Sequence, residues 1–245
     1  MKLTILGNNG PFPAAGGACS GYLIREGPTK LLIDCGNGVL SNLQRLVRLE
    51  ELDAVILTHL HADHMSDMMV LKYAWQIKKS RGGIGRPLRV FAPPEPAEEY
   101  GRLDVKDVFD LSPVSGELAL DIGDMRIAFR QMTHPVMDFA VSLEAGGRRL
   151  VFSGDTSWDE NMIGFAAEAD LLMLDSGLLA AEKAGKASVP HLTAEECGII
   201  AARAGARKLL LTHFWPEHDV RELLAEAGAG FENVHAAELM KEYTV

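Results

Sequence analysis

Apolar residues recur along this chain in two rhythms. Short runs rich in branched side chains, bounded by turn-forming residues, predict buried strands at 2–6, 21–25, 30–34, 52–57 and 88–92. The second half repeats the pattern at 125–132, 139–144, 149–152, 171–174 and 208–212, and a short strand near Val234 closes the chain. Between these runs the spacing becomes helical, at 38–48, 65–75, 158–168, 193–204 and 220–227. A short helix within 93–103 is opened by Pro93, Pro94 and Pro96. Residues 105–121 follow neither rhythm. Thr193 with Glu196 has the spacing of a capping box at a helix start. Strands that alternate with helices predict an α/β fold. No internal repeat or low-complexity linker divides the chain, so one domain over 1–245 is expected.

Two loops resemble binding elements without matching one. Residues 7–17 are Gly- and Pro-rich but lack the Gly-Lys-Ser/Thr ending of a phosphate-cradling loop and the spacing of a dinucleotide fingerprint. Lys78, Lys79, Arg81 and Arg86 form a mildly basic stretch, which reads as a solvated helix end where cations suit the dipole.

The bulk properties narrow the class. A chain of 245 residues that is 47% hydrophobic and 24% charged can bury a substantial core. A formal net charge of -10 opposes nonspecific attraction to nucleic acid or anionic membrane. Cys19, Cys35 and Cys197 include no Cys-x-x-Cys pair, which argues against a disulfide scaffold or a zinc-thiolate site and for a reducing compartment. The first apolar run is too short for a signal peptide, and no stretch approaches the ~20 residues needed to cross a bilayer. A cytoplasmic protein without membrane attachment is expected. The Gly-rich N-terminal loop and the apolar C-terminal half are compatible with a homodimer.

The candidate chemistry is concentrated between the strand at 52–57 and the helix that follows it. Thr58-His59-Leu60-His61-Ala62-Asp63-His64 gathers three imidazoles and a carboxylate into one turn. Those donors suit borderline divalent metals such as zinc, and a turn held by rigid elements is where binding groups are displayed. Further ligands are expected at other strand ends. His134, Asp155 and His213 each follow an apolar run, as His59 does. Asp34 ends an early strand, where it could accept the free N–H of a metal-bound histidine and fix its tautomer. Thr58 and Thr212 precede candidate ligands and read as turn-shaping residues.

The segment His59-Leu60-His61-Ala62-Asp63-His64 resembles the His-x-His-x-Asp-His motif of the metallo-β-lactamase superfamily. His134, Asp155 in Ser-Gly-Asp and His213 in Leu-Thr-His follow in the family's order, and the resemblance spans nearly the whole chain. It implies a four-layer αββα sandwich, two mixed sheets flanked by helices, with a two-metal site at one edge. It also implies a division of ligands: His59, His61 and His134 for one ion, Asp63, His64 and His213 for the other, with Asp155 between them. Zinc suits these donors best, with manganese or iron as alternatives.

Within that superfamily, Pro190-His191-Leu192-Thr193 resembles the His-x-Thr element of the ribonuclease Z-like phosphodiesterases. The likeness makes His191 a general acid for the leaving oxygen. Asp175 stands where that branch commonly carries Glu, and could orient His191. The interval between His134 and Asp155 reads as a simple hairpin, with no room for the arm by which long ribonucleases Z grip transfer RNA. Thr212-His213-Phe214-Trp215-Pro216 departs from the transfer-RNA processing pattern as well. These features favour a small or cyclic phosphodiester, from a nucleotide or a sugar phosphate. A lactonase, thiolesterase or β-lactamase-like activity, a ribonuclease Z activity and an iron-dependent redox role are the alternatives. His61 disfavours the redox role, because diiron relatives usually carry Glu there.

Overall fold

A computed structural model describes residues 1–186 and 189–245. It contains two seven-stranded sheets. The first is built from β1 (Lys2–Gly7), β2 (Gly21–Glu26), β3 (Thr29–Ile33), β4 (Ala54–Ile56), β5 (Leu88–Ala92), β6 (Phe109–Pro113) and the last strand of the chain, β14 (Glu242–Thr244). Its order is β14-β1-β2-β3-β4-β5-β6. The second holds β7 (Ala119–Ile122), β8 (Met125–Met132), β9 (Asp138–Ala145), β10 (Arg148–Phe152), β11 (Leu171–Asp175), β12 (Leu209–Thr212) and β13 (Val234–Ala236), in the order β13-β12-β11-β10-β9-β8-β7.

Both faces of each sheet are covered, and the sequence shows why. In β1 to β4 the central residues are mostly apolar, and successive residues point to opposite faces. Leu3, Ile5, Tyr22, Ile24, Leu31, Ile33 and Ile56 face the second sheet and join its buried residues in one cluster. Leu6, Leu23, Leu32 and Val55 face the other way. They pack under α1 (Val39–Leu43) and α3 (Met68–Ser80), through Leu43, Leu71 and Trp75. On the far side, α5 (Glu160–Phe165), α7 (Ala194–Ala204) and α8 (Val220–Gly230) cover the second sheet with Met162, Ile200 and Leu223, while the short helices α4 (Ala97–Leu103) and α6 (Ala180–Lys183) precede β6 and α7. The result is the expected αββα sandwich.

The expected elements hold with four adjustments. The helix anticipated at 38–48 is regular only over Val39–Leu43 and continues as turns. The helix expected from 65 is two: α2 (Ala62–Met65) and α3, so Asp63 and His64 lie inside a helical turn rather than ahead of one. The undecided stretch 105–121 supplies β6 and most of β7. The chain does not close at Val234. It crosses to the other sheet and adds β14 beside β1. Thr193 and Glu196 form the anticipated capping box. The basic stretch is engaged within the chain, with Lys78 paired to Glu50 at 2.8 Å and Lys79 bonded to the Asp107 carbonyl at 2.7 Å. Among the described residues no helix is long and apolar enough to cross a membrane.

Candidate metal centre

Strand direction decides which residues meet. β3 and β4 are parallel, as are β10, β11 and β12. β8 is antiparallel to β9, which is antiparallel to β10, so β8 also runs with that group. Asp34, the turn after β4, His134, Asp155, Asp175 and His213 therefore all emerge at one edge. β9 runs the opposite way, so its first residue, Asp138, lies at the same edge opposite Met132. Tyr22 Oη and Thr212 Oγ1, 2.9 Å apart, join the two sheets there. Asp34 and His213 have positive φ, 56° and 58°. That conformation is unfavourable for a side chain bearing a Cβ and persists where surroundings over-determine it, often at functional sites.

The ligand atoms fall into two adjoining groups. His59 Nε2 and His61 Nδ1 lie 3.0 Å apart, and His61 Nδ1 and His134 Nε2 3.3 Å. In the second group, Asp63 Oδ2 is 3.2 Å from His213 Nε2 and 3.6 Å from His64 Nε2. Asp155 touches both: Oδ2 is 3.3 Å from His213 Nε2 and 3.8 Å from His59 Nε2, while Oδ1 is 3.4 Å from His64 Nε2. The two groups, His59-His61-His134 and Asp63-His64-Asp155-His213, each converge closely enough to hold a metal ion.

Behind the ligand atoms, contacts at Nδ1 set the imidazole tautomers. Asp138 Oδ2 lies 2.7 Å from His59 Nδ1 as an ion-pair contact, Asp34 Oδ2 is hydrogen-bonded to His64 Nδ1 at 2.8 Å, and His134 Nδ1 donates to the Pro190 carbonyl at 3.1 Å. Each contact uses Nδ1 and leaves Nε2 for the centre. Asp34 is itself held by the Thr58 amide (2.8 Å) and hydroxyl (3.0 Å), so Thr58 does more than shape the turn. Asp175 lies between two rings: Oδ2 is hydrogen-bonded to His191 Nδ1 at 2.9 Å, and Oδ1 is 3.3 Å from His213 Nδ1 as an ion-pair contact without a hydrogen bond. The His191 and His213 rings stack, with centroids 5.2 Å apart.

Burial and neighbouring charge divide the titrations. Burial pushes His59 well below the usual imidazole range, aided by His64, and burial also lowers His61 and His134. For His64 and His213, burial opposes the charge, but the carboxylates outweigh it and both are raised well above that range. Asp155 supplies the largest attraction in each case. Asp155 itself is held well below the usual carboxylate range, because His213 and His64 overcome the effect of burial. His191 is raised, chiefly by Asp175 acting against desolvation. Asp138 is driven well up by burial and by the Asp155 charge.

The donor set fits a cation. With Nδ1 of His59 and of His134 engaged behind them, both rings present Nε2 lone pairs to His61 Nδ1 within 3.3 Å, and a single proton on His61 cannot serve both. Buried His64 Nε2 and Asp155 Oδ1 have no hydrogen-bond partner among the described residues. Both atoms face the centre, where a divalent ion would satisfy them.

The match to known proteins agrees with this geometry. A family model described as the β-lactamase superfamily domain matches residues 29–214. The chain is 36% identical over 213 residues to the probable metallo-hydrolase YhfI of Bacillus subtilis, covering 87% of this chain and 86% of that one. The crystal structure of YhfI superposes with a TM-score of 0.94 at 34% identity, over 99% of this chain and 98% of that chain. This chain belongs to the metallo-β-lactamase superfamily. Within the superfamily it resembles the ribonuclease Z-like branch. It is 26% identical to ribonuclease Z of Brevibacillus brevis, over 93% of this chain and 91% of that one. Human short-form tRNase Z shares the fold, with a TM-score of 0.77 and 19% identity over 100% and 99% of the two chains. As a member of this metallo-hydrolase family the chain carries His/Asp clusters that could hold its metals.

All the anticipated site residues, His59, His61, Asp63, His64, His134, Asp155, Asp175, His191 and His213, come together at this edge, with Asp34 behind them. Sequence reasoning missed Asp138, which opens β9. Its signal is an acidic residue opening a strand antiparallel to neighbours that carry ligands at their ends. Two glycines were missed as well. A Cβ on Gly10 would collide with His213 Nε2, and one on Gly154, at φ +63°, would collide with Asp138 Oδ1.

Proposed function

We propose that the protein is a dinuclear metal-dependent phosphodiesterase acting on a small or cyclic phosphodiester. His59, His61 and His134 would hold one ion, Asp63, His64 and His213 would hold the other, and Asp155 lies within reach of both groups. Zinc suits the donors best. Two such ions lower the pKa of water and neutralise charge on phosphoryl oxygens.

The observation that carries the reading is His191. Its Nδ1 is bonded to Asp175 at 2.9 Å, so its tautomer is fixed and Nε2 is left free beside the ligand cluster. A histidine whose protonated form is favoured by a buried carboxylate, and which is stacked on His213, is placed to give a proton to a departing alkoxide. Asp175 positions this acid and His213 together, so it ties the proton donor to the ligand set. Asp63, inside α2, faces His213 and completes the second group.

Small substrates are favoured over structured transfer RNA. The interval between His134 and Asp155 is filled by β9 and β10, joined at Gly146 and Gly147. The alignment to the Brevibacillus ribonuclease Z runs over 298 positions, more than this chain has residues, so that enzyme carries insertions that this chain lacks.

The test is hydrolysis of bis(p-nitrophenyl) phosphate by the metal-loaded protein, with Asp63→Ala as control. Turnover that vanishes in Asp63→Ala supports the reading. His191→Ala should lower turnover by roughly 10²–10⁴-fold with metal content intact. Loss of metal in His191→Ala would make His191 a ligand instead of an acid. No turnover with two ions bound per chain sinks the reading and directs the search to lactones, thioesters and lactams.

A further inference from the structure

The short helix α6 buries none of its four residues. It adds nothing to the core, and polar contacts hold it in place. Glu182 Oε2 accepts from the Leu179 amide at 2.7 Å, and the Glu226 carboxylate of α8 accepts from the Ala180 amide at 3.0 Å. His218, in the loop that follows His213, brings Nε2 to 3.1 Å from Glu182 Oε1. A helix anchored in this way to α8 and to the His213 loop makes a firm base for a side chain at its far end.

That side chain is Lys183. Its Nζ donates to Glu196 Oε1 and Oε2 at 2.9 and 2.7 Å and to the His191 carbonyl at 3.3 Å. An ammonium group has three N–H donors, and each has an acceptor here, so Lys183 has no donor to spare for a substrate phosphate. The side chains of Lys183 and Glu196 are only 20% and 21% exposed, which limits competition from water. Glu196 Oε2 also accepts from the Thr193 amide at 2.9 Å, so the ammonium holds the start of α7 and the His191 backbone together.

His191 needs such a hold. It stands in a stretch without regular structure, ahead of α7. Asp175 fixes its ring at Nδ1 only, and a ring held at one atom can still pivot and carry Nε2 away from the reacting oxygen. A second fixed point must come from the backbone. The Pro190 carbonyl is taken by His134 Nδ1 at 3.1 Å, and the next carbonyl, that of His191, by Lys183. Two successive carbonyls are therefore gripped, one by a candidate metal ligand and one by α6.

We infer, building on the phosphodiesterase reading, that Lys183 is a positioning residue for His191, and that α6 exists to brace the proton donor against the ligand cluster. Lys183 touches no reacting atom. It acts by keeping Nε2 of His191 where the departing oxygen will be, and displacement of a reacting group by about 1 Å can cost on the order of 100-fold in rate.

The experiment is a double-mutant cycle on the metal-loaded protein with bis(p-nitrophenyl) phosphate. Lys183→Met keeps the stem and removes the donors. It should lower kcat by about 10–100-fold with KM within about twofold, while Lys183→Arg, which can donate to both acceptors, restores most of the loss. In a His191→Ala background Lys183→Met should cost less than about twofold more, because the group it positions is gone. An equal loss in both backgrounds, a raised KM with kcat intact, or no loss at all overturns the inference while leaving the phosphodiesterase reading standing. Should Lys183→Met fail to fold, Lys183→Gln takes its place with the same expectations. If the unaltered protein cleaves nothing, that reading has failed and proton exchange decides the positioning role. In nitrogen-15 spectra of the zinc-loaded protein the His191 Nδ1 proton, identified by its loss in His191→Ala, should exchange with water at least about tenfold faster in Lys183→Met and at the native rate in Lys183→Arg. Exchange unchanged in Lys183→Met overturns it.

Discussion

The two ends of the ligand cluster adjoin each other, yet they carry charge in opposite ways. At the His61 end three imidazoles face one another, and burial keeps them neutral. At the His213 end two imidazoles lie against Asp63 and Asp155 and are drawn toward their protonated forms. The backing differs as well. His59 rests on Asp138, a carboxyl that burial drives upward, whereas His64 and His213 rest on Asp34 and Asp175. The first end is ready for a cation without losing a proton. The second is internally balanced without metal and must release protons to take one up. One carboxylate, Asp155, belongs to both.

That contrast can be broken most decisively at Asp155. Asp155→Ala should empty both ends and cost roughly 10³-fold or more in turnover. Elemental analysis would refute the shared role if one ion stayed at full occupancy. The next effect is the pH dependence of metal uptake. His64 and His213 have folded values raised above the unfolded one, so in the metal-free protein their stabilising contribution is complete below about pH 6.5 and is lost as pH rises through the raised values. Metal needs the neutral rings. Affinity at this end should therefore fall about tenfold per pH unit per proton as pH drops below those values. At the other end His59, His61 and His134 are lowered, so they are already neutral at pH 7 and uptake there should release no proton. Calorimetry in two buffers of different ionisation enthalpy distinguishes the two ends, and equal proton release would dissolve the comparison. The smallest effect concerns the supports. Asp138→Ala should weaken metal at the His59 end, and Asp34→Ala at the His64 end, each by about 10–100-fold. Competition with a chelator that showed either variant weakening both ends alike would mean that the ends are coupled through their supports.

Much of this site was legible because its chemistry is local. His59, His61, Asp63 and His64 fall within one turn, and their spacing alone announces a metal. His134, Asp155 and His213 could be found because each closes an apolar run. Asp138 was hidden because it opens a strand, and only an antiparallel neighbour brings that opening to the ligand edge. The second task of Asp175 was hidden for a related reason: β11 pairs with β12 in a register that sets Asp175 opposite Thr212, one residue short of His213. β14 was missed because three residues, with only Tyr243 buried, are too short to show a period. The edge strands β6 and β7 are half exposed, and their mixed faces look like loop.

The sequence by itself determined the alternation of strands and helices, the donor types, and the order in which ligands enter. These follow from the period of apolar residues and from covalent proximity, which need no partner chain segment to be read. The tertiary structure decided the tautomers, the split of charge between the two ends, and the placing of α6 against the His191 carbonyl. Those depend on which strand ends share an edge and on how deeply each group is withdrawn from water, quantities set by pairing partners that lie as far apart as Asp63 and His213.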